Sequence, residues 1–205
     1  VLLCFLFIIN GANLIDGFNG LLTINLIIIN IVLTYININN ENLEFSILLI
    51  SQVIILISFL LFNFPTAKIF LGDSGAYTMG ALTALNTIIT NNINPKISSF
   101  FFCTLLFYLF FEVFFSFFRK IYQRKSPIHP DDSHLHMLSY YKISSIYGKT
   151  KGNFLNSCLI NIIYLILIFP GLYFLESPSL SKYWFFFLML IYAMIYFRLY
   201  HLTKN

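Results

Sequence analysis

The sequence predicts an all-α polytopic membrane protein with about seven transmembrane helices, the first truncated, and with its reactive loops on the cytoplasmic face. Three observations carry that prediction. Hydrophobic residues make up 59% of the 205 and charged residues only 10%, against about 25% charged in soluble domains. The mean hydropathy is +0.82, more apolar surface than one globular core of this size can bury. The apolar residues also fall in continuous runs, without the alternation that a β-barrel requires. The same figures exclude a disordered chain, a disulfide-stapled secreted domain and a nucleic-acid-binding module.

A helix crosses the bilayer core with about 20 apolar residues. A truncated first span is expected at 1–9, with Val1 inside an apolar run already under way. Full spans follow near 18–36, 43–62, 75–91, 97–118, 154–175 and 183–202. Short polar turns separate them at 37–42, at 91–96 with Pro95, and at 176–182 with Pro178. The one long connection, 119–153, is expected to be a loop. Short turns force adjacent spans to run in opposite directions. One face then holds Lys68, Arg119, Lys120, Arg124, Lys125, Lys142, Lys149, Lys151, Arg198 and Lys204, and the other only Lys96 and Lys182. Basic loops stay in the cytoplasm, so the first face is assigned there. Cys4, Cys103 and Cys158 lie in apolar stretches and read as small core-filling residues rather than a disulfide or metal site.

Polar residues gather on the basic face in three segments. The first is Asn10-Gly-Ala-Asn13-Leu-Ile-Asp16-Gly17-Phe-Asn19-Gly20. Asn13 and Asp16, three apart, share a helix face. Gly17 and Gly20 admit close approach of a ligand, though the same dipeptides make ordinary helix-ending turns. The second is Pro65-Thr-Ala-Lys68-Ile-Phe-Leu-Gly72-Asp73-Ser74-Gly75, at the start of a span. Asp73 and Ser74 read either as helix caps or as a carboxylate for Mg²⁺ beside a phosphate-binding Lys68. The third is His129-Pro130-Asp131-Asp132-Ser133-His134-Leu135-His136. Among so many basic residues its imidazoles suit phosphate oxygens better than zinc, with Asp131 and Asp132 to position them. A fourth feature, Glu112, lies in a Phe-rich span, seven residues before Arg119. An acid at that depth is either functional or paired, with Arg119 or with another helix.

These segments, in this order and on one face, resemble the polyprenyl-phosphate N-acetylhexosamine-1-phosphate transferases over residues 10 to 140. Asn10–Gly20 is similar to that family's Asn-x-x-Asp-Gly-x-Asp-Gly segment, and Ala67–Gly75 to its Ala-Lys-Ile-Phe-Leu-Gly-Asp-Ser/Thr-Gly segment. Glu112–Lys120 resembles its acidic position and basic run, and Asp131–Leu138 its His-x-His loop. Three departures stand out. Asn19 replaces a second Asp. Met137 replaces a third His, which points away from the muramoyl-pentapeptide branch. Nothing before Asn10 supplies the family's paired-aspartate segment. The expectation is that 1–205 is a single transmembrane domain, the C-terminal part of an about eleven-span protein.

The resemblance implies a Mg²⁺-dependent enzyme, with Mn²⁺ as the alternative metal, in the bacterial inner membrane. Its partners would be a UDP-N-acetyl-sugar such as UDP-N-acetylglucosamine, undecaprenyl or another polyprenyl phosphate, and membrane lipid, with no nucleic acid. A homodimer is compatible with it. Asp73 and Asp16 would be the catalytic and metal-binding pair. Asn13, Asn19, Lys68, Arg119, His134 and His136 would bind substrate. The rival expectations are a scaffold lacking a complete catalytic set and, further off, a transporter lined by Glu112, Asn25, Asn30 and Asn161. A metalloprotease would need a third ligand beside His134 and His136.

Overall fold

The computed structural model describes residues 2–127, 129 and 131–204. Val1, at the head of the first expected span, and Pro130, in the histidine segment, lie outside the described residues. Every regular element among the described residues is helical. In order they are α1 Leu2–Ile15, α2 Leu21–Asn39, α3 Leu43–Asn63, α4 Gly72–Ile93, α5 Ser99–Leu105, α6 Phe107–Tyr122, α7 Leu135–Tyr147, α8 Lys149–Ile168 and α9 Pro178–Lys204. A 3₁₀ turn, Phe169–Phe174, continues α8.

Among the described residues, four helices are long and apolar enough to cross a membrane: α2, α3, α8 with its 3₁₀ turn, and α9. The α5–α6 pair makes a fifth if counted as one broken span. The expected spans at 1–9 and 75–91 correspond to α1, which is short, and to α4, whose Gly, Thr and Asn content makes it more polar. The expected span at 97–118 is not straight. It bends by 76° at Leu106, in a stretch free of Pro and Gly. The Leu105 carbonyl at the bend accepts a hydrogen bond from the Tyr164 hydroxyl on α8, so the break is satisfied from a neighbouring helix. The expected loop 119–153 is largely helical too, since it holds the end of α6, all of α7 and the start of α8. The cysteines also differ from expectation. Cys4 and Cys103 are exposed on the outer surface rather than filling the core, and all three are free thiols.

The buried seams explain why an apolar chain carries so many asparagines. Asn30 on α2 donates to Thr83 on α4 and accepts from Asn86, which also donates to Gln52 on α3. One end further along, Asn37 donates to Thr90, and Asn94 donates to Asn37. In a bilayer, where helices gain nothing from burying apolar surface against each other, such pairs select partners and register. Close approach does the rest. A Cβ at Gly11 would lie 2.0 Å from the Leu109 carbonyl oxygen, and one at Gly80 would lie 2.7 Å from the Ala12 Cβ. Glycine therefore lets α1 nest between α6 and α4.

Connections between elements place the three polar segments at one end of the bundle. The Asn19 N–H donates to Asn153 Oδ1 at the start of α8, and the Asn19 amide nitrogen donates to the Pro65 carbonyl. The Gly20 N–H donates to Asn63 Oδ1. Gly20 has a φ of 77°, which a residue with a Cβ adopts only with strain. The turns holding Asn42, Asn94 and Leu175 lie at the other end.

Candidate active site

Helix α1 ends at Ile15, and its continuation turns at Asp16 and Gly17 before α2 begins. The turn reading of this segment therefore holds, and it coexists with an open site. Among the described residues, no atom beyond its chain neighbours comes within 4 Å of where a Gly17 Cβ would sit. Asn13 donates to the Tyr77 hydroxyl at 3.1 Å, tying α1 to the first turns of α4. Asp73 lies in the first turn of α4, but that helix is capped by Leu71 with no side-chain hydrogen bond. The capping explanation for Asp73 is thereby removed, and its carboxylate is exposed.

Asp16 and Asp73 face one another closely enough to interact. Burial, then repulsion from Asp73, raises the Asp16 carboxyl to a pKa of about 6. Two acids that repel each other at a helix start are a pair that could jointly hold a divalent cation. Among the described residues no group of three or more His, Cys, Asp or Glu side chains is disposed to hold a metal. Zinc at His134 and His136 gains no third ligand. A two-carboxylate site still suits Mg²⁺, which keeps several ligand positions for water and phosphate.

Beside this pair opens a cleft of about 460 Å³. One wall is Asn10, Asn13 and Gly17; the other includes Lys120, His134 and His136. The histidine loop on that wall is fixed from several sides. Arg119 donates from both terminal nitrogens to Asp131, at 2.7 and 3.0 Å. Lys120 donates to the Pro127 and His129 carbonyls. Tyr196 on α9 donates to the Ser133 carbonyl at 2.9 Å. Burial alone would raise the Asp131 carboxyl, but the Arg119 hydrogen bonds and charge outweigh it and hold it below the usual range.

The partner of Glu112 is His134 rather than Arg119. Glu112 Oε1 accepts from His134 Nδ1 at 3.2 Å and from the Leu135 N–H at 3.0 Å, and Oε2 accepts from the Tyr192 hydroxyl at 2.7 Å. His136 stacks parallel on His134, its ring centroid 5.5 Å away. Burial, only partly opposed by Glu112, lowers the His136 pKa to about 4, so its imidazole is neutral at pH 7. Its backbone carbonyl accepts from Asn156 on α8.

The structure thus brings Asn13, His134 and His136 onto one cleft, with Asp16 and Asp73 alongside. Arg119, expected to reach substrate, is buried on Asp131 instead. Lys120 occupies the cleft wall in its place. Lys68 is exposed and does not line the cleft, and Asn19 is engaged with Pro65. Sequence reasoning missed Lys120, Tyr192 and Tyr196. The i, i+4 spacing of the two tyrosines was the one available signal. Asn30 and Asn161 bond to carbonyls of their own and neighbouring helices, and Asn25 is enclosed, so none lines an open path.

A helical membrane protein with an acidic pair and a histidine loop at one end defines the class. The model of glycosyl transferase family 4 matches residues 1–91. The undecaprenyl-phosphate alpha-N-acetylglucosaminyl 1-phosphate transferase of Thermotoga maritima is 32% identical over 148 residues, 72% of this chain and 43% of that protein. A phospho-N-acetylmuramoyl-pentapeptide-transferase of Leuconostoc mesenteroides is 42% identical over 80 residues, 39% of this chain and 25% of that protein. One of Clostridioides difficile is 30% identical over 125 residues, 60% of this chain and 39% of that protein. No solved structure matches. The chain belongs to the polyprenyl-phosphate N-acetylhexosamine-1-phosphate transferase family. It spans less than half the length of these curated relatives.

Proposed function

We propose that the protein transfers an N-acetylhexosamine 1-phosphate from a UDP-sugar to undecaprenyl phosphate, or another polyprenyl phosphate, and releases UMP. The reaction would take place at the cytoplasmic face of a bacterial inner membrane, at the start of cell-envelope polysaccharide synthesis. The observation that carries this reading is the Asp16–Asp73 pair beside a cleft walled by His134, His136 and Lys120. The ten-to-two distribution of basic residues supports the orientation.

In this reaction an oxygen of the lipid phosphate attacks the sugar-linked phosphorus. The bond from that phosphorus to the UMP oxygen breaks, and UMP leaves with the bonding electrons. Two anionic substrates must meet, so charge shielding is the main requirement. Asp16 and Asp73 would hold Mg²⁺, or Mn²⁺ in its place, and the ion would supply that shielding. The chain's own residues do the rest. Lys120 and His134 present donors to the nucleotide-sugar phosphates. Neutral His136 offers a hydrogen bond without adding charge. Asn13 holds the turn that carries Asp16 against α4.

The test is UMP release by the full-length protein, in detergent with undecaprenyl phosphate, Mg²⁺ and UDP-N-acetylglucosamine or another UDP-N-acetyl-sugar. Release that needs both lipid phosphate and Mg²⁺ is the expected result. A second reading, a scaffold without catalysis, is favoured by Asn19, which replaces an acid and is engaged in holding the loop. Absence of UMP release with every UDP-N-acetyl-sugar would select it.

A further inference from the structure

Glu112 is an acid placed within a broken span, and the proposed chemistry leaves it without a task. It is 1% exposed, so it cannot meet substrate directly. Its two oxygens are nonetheless fully engaged. Oε1 takes the His134 ring and the Leu135 N–H. Oε2 takes the Tyr192 hydroxyl from α9, eighty residues away in sequence. A carboxylate only accepts hydrogen bonds, so the proton of this contact sits on His134 Nδ1. The ring edge carrying Nε2 is then the one turned toward Asp131 and the cleft, 3.4 Å from Asp131 Oδ1. Tyr192 completes the arrangement by preventing rotation of the carboxylate. Tyr196, one turn further on α9, fixes the backbone just before His134 through the Ser133 carbonyl.

We infer that Glu112, locked by Tyr192, is a positioning residue that fixes the ring orientation of His134, taking its Nδ1–H so that Nε2, when the ring carries both protons, donates toward the anionic donor substrate. The last helix thereby contributes to donor binding without touching the donor. The charged and titratable groups facing this cluster are Glu112, Asp131, Arg119, His134, His136, Tyr108, Tyr192 and Tyr196. Removing a second-layer partner of a ligand-facing His commonly lowers affinity about 10- to 100-fold in metal sites, and the same orienting logic applies here.

This inference rests on the proposed transferase reading, and its test separates the two. The full-length protein is assayed for UMP release with UDP-N-acetylglucosamine as the varied donor. UMP-dependent protection against thermal unfolding provides an independent measure of nucleotide binding. Glu112→Gln, which keeps size and removes charge, is expected to raise the donor KM about tenfold and weaken UMP protection, with kcat changed less than about threefold. Tyr192→Phe is expected to raise KM about two- to fivefold. In a His134→Ala background neither substitution should raise KM further, because both act through that ring. Independent, multiplying effects in that background would overturn the inference, as would an unchanged KM in both single variants. If Glu112→Gln fails to fold, Tyr192→Phe in the two backgrounds decides alone. A wild-type protein that releases no UMP and gains no protection from it would overturn the transferase reading, and this inference with it.

Discussion

Asp131 receives both terminal nitrogens of Arg119, at 2.7 and 3.0 Å, and so fastens the histidine loop to the end of α6. The guanidinium also lies over the Tyr196 ring, 5.9 Å from its centre, and donates to Ser116. Its side chain is only 6% exposed. A planar fork suits this place and an ammonium does not. Arg119, which the family resemblance would send to a substrate, is here occupied in holding the histidine loop to α6.

Breaking the pair leaves a buried charge without compensation. Asp131→Ala should destabilise the protein by about 3 kcal/mol and weaken donor binding. Arg119→Lys should cost less stability but lose the two-point hold on the loop. Thermal unfolding of the detergent-solubilised protein, with and without UMP, reads both. Wild-type unfolding in Asp131→Ala would show that the loop is held by its other contacts.

His136 predicts a particular loss of stability in acid. Its folded pKa is about 4, set first by burial, against an ordinary value of 6.5. Folding then favours the neutral ring. That contribution is fully present above about pH 6.5 and is lost as pH falls through about 4. The unfolding temperature should decline over this window, and His136→Gln should flatten the decline. A profile unchanged by the substitution would remove His136 as its source.

If the proposed cation is held by this pair, Asp16 sets the pH dependence of its binding. With its pKa near 6, raised first by burial and then by Asp73, the protonated form competes with a divalent ion until the pH passes that value. Mn²⁺ affinity, followed by electron paramagnetic resonance, should rise about fivefold between pH 5 and 6 and level off above 7. A pair of ordinary carboxylates would already be flat across that range. Asp16→Asn should abolish the rise.

Much of this arrangement is readable from the residues. The expected spans at 43–62, 154–175 and 183–202 lie within a few residues of α3, of α8 with its 3₁₀ turn, and of α9. The continuous apolar runs carry that information directly. The bend at Leu106 is not readable, because a stretch of Phe, Leu and Thr carries no breaker and Tyr164 satisfies the break from another helix. Helix α7 was hidden for a related reason. It is short, polar and held by Asn156 of α8 rather than by a local cap. At the candidate site, Asp16 and Asp73 stood out in the sequence as carboxylates beside glycine at a membrane edge, and the structure sets them close enough to interact. Glu112 was legible as an anomaly, but its partners were not. The sequence left Arg119 or another helix as its partner, and tertiary packing supplied His134 and, from another helix, Tyr192. Tyr192 and Tyr196 were lost among 13 tyrosines and 25 phenylalanines whose default place is the lipid boundary.

The central claim is that Asp73, with Asp16, holds the cation that lets two phosphates react. The most direct measurement is UMP release by the Asp73→Asn variant of the full-length protein, from a UDP-N-acetyl-sugar accepted by the wild type and undecaprenyl phosphate, across a Mg²⁺ titration. The substitution preserves size and the exposed position in the first turn of α4. A rate reduced at least about 1000-fold at every Mg²⁺ concentration, in a protein that unfolds at the wild-type temperature, is the predicted result. Near-normal turnover with an unchanged Mg²⁺ requirement would contradict it and place the cation elsewhere.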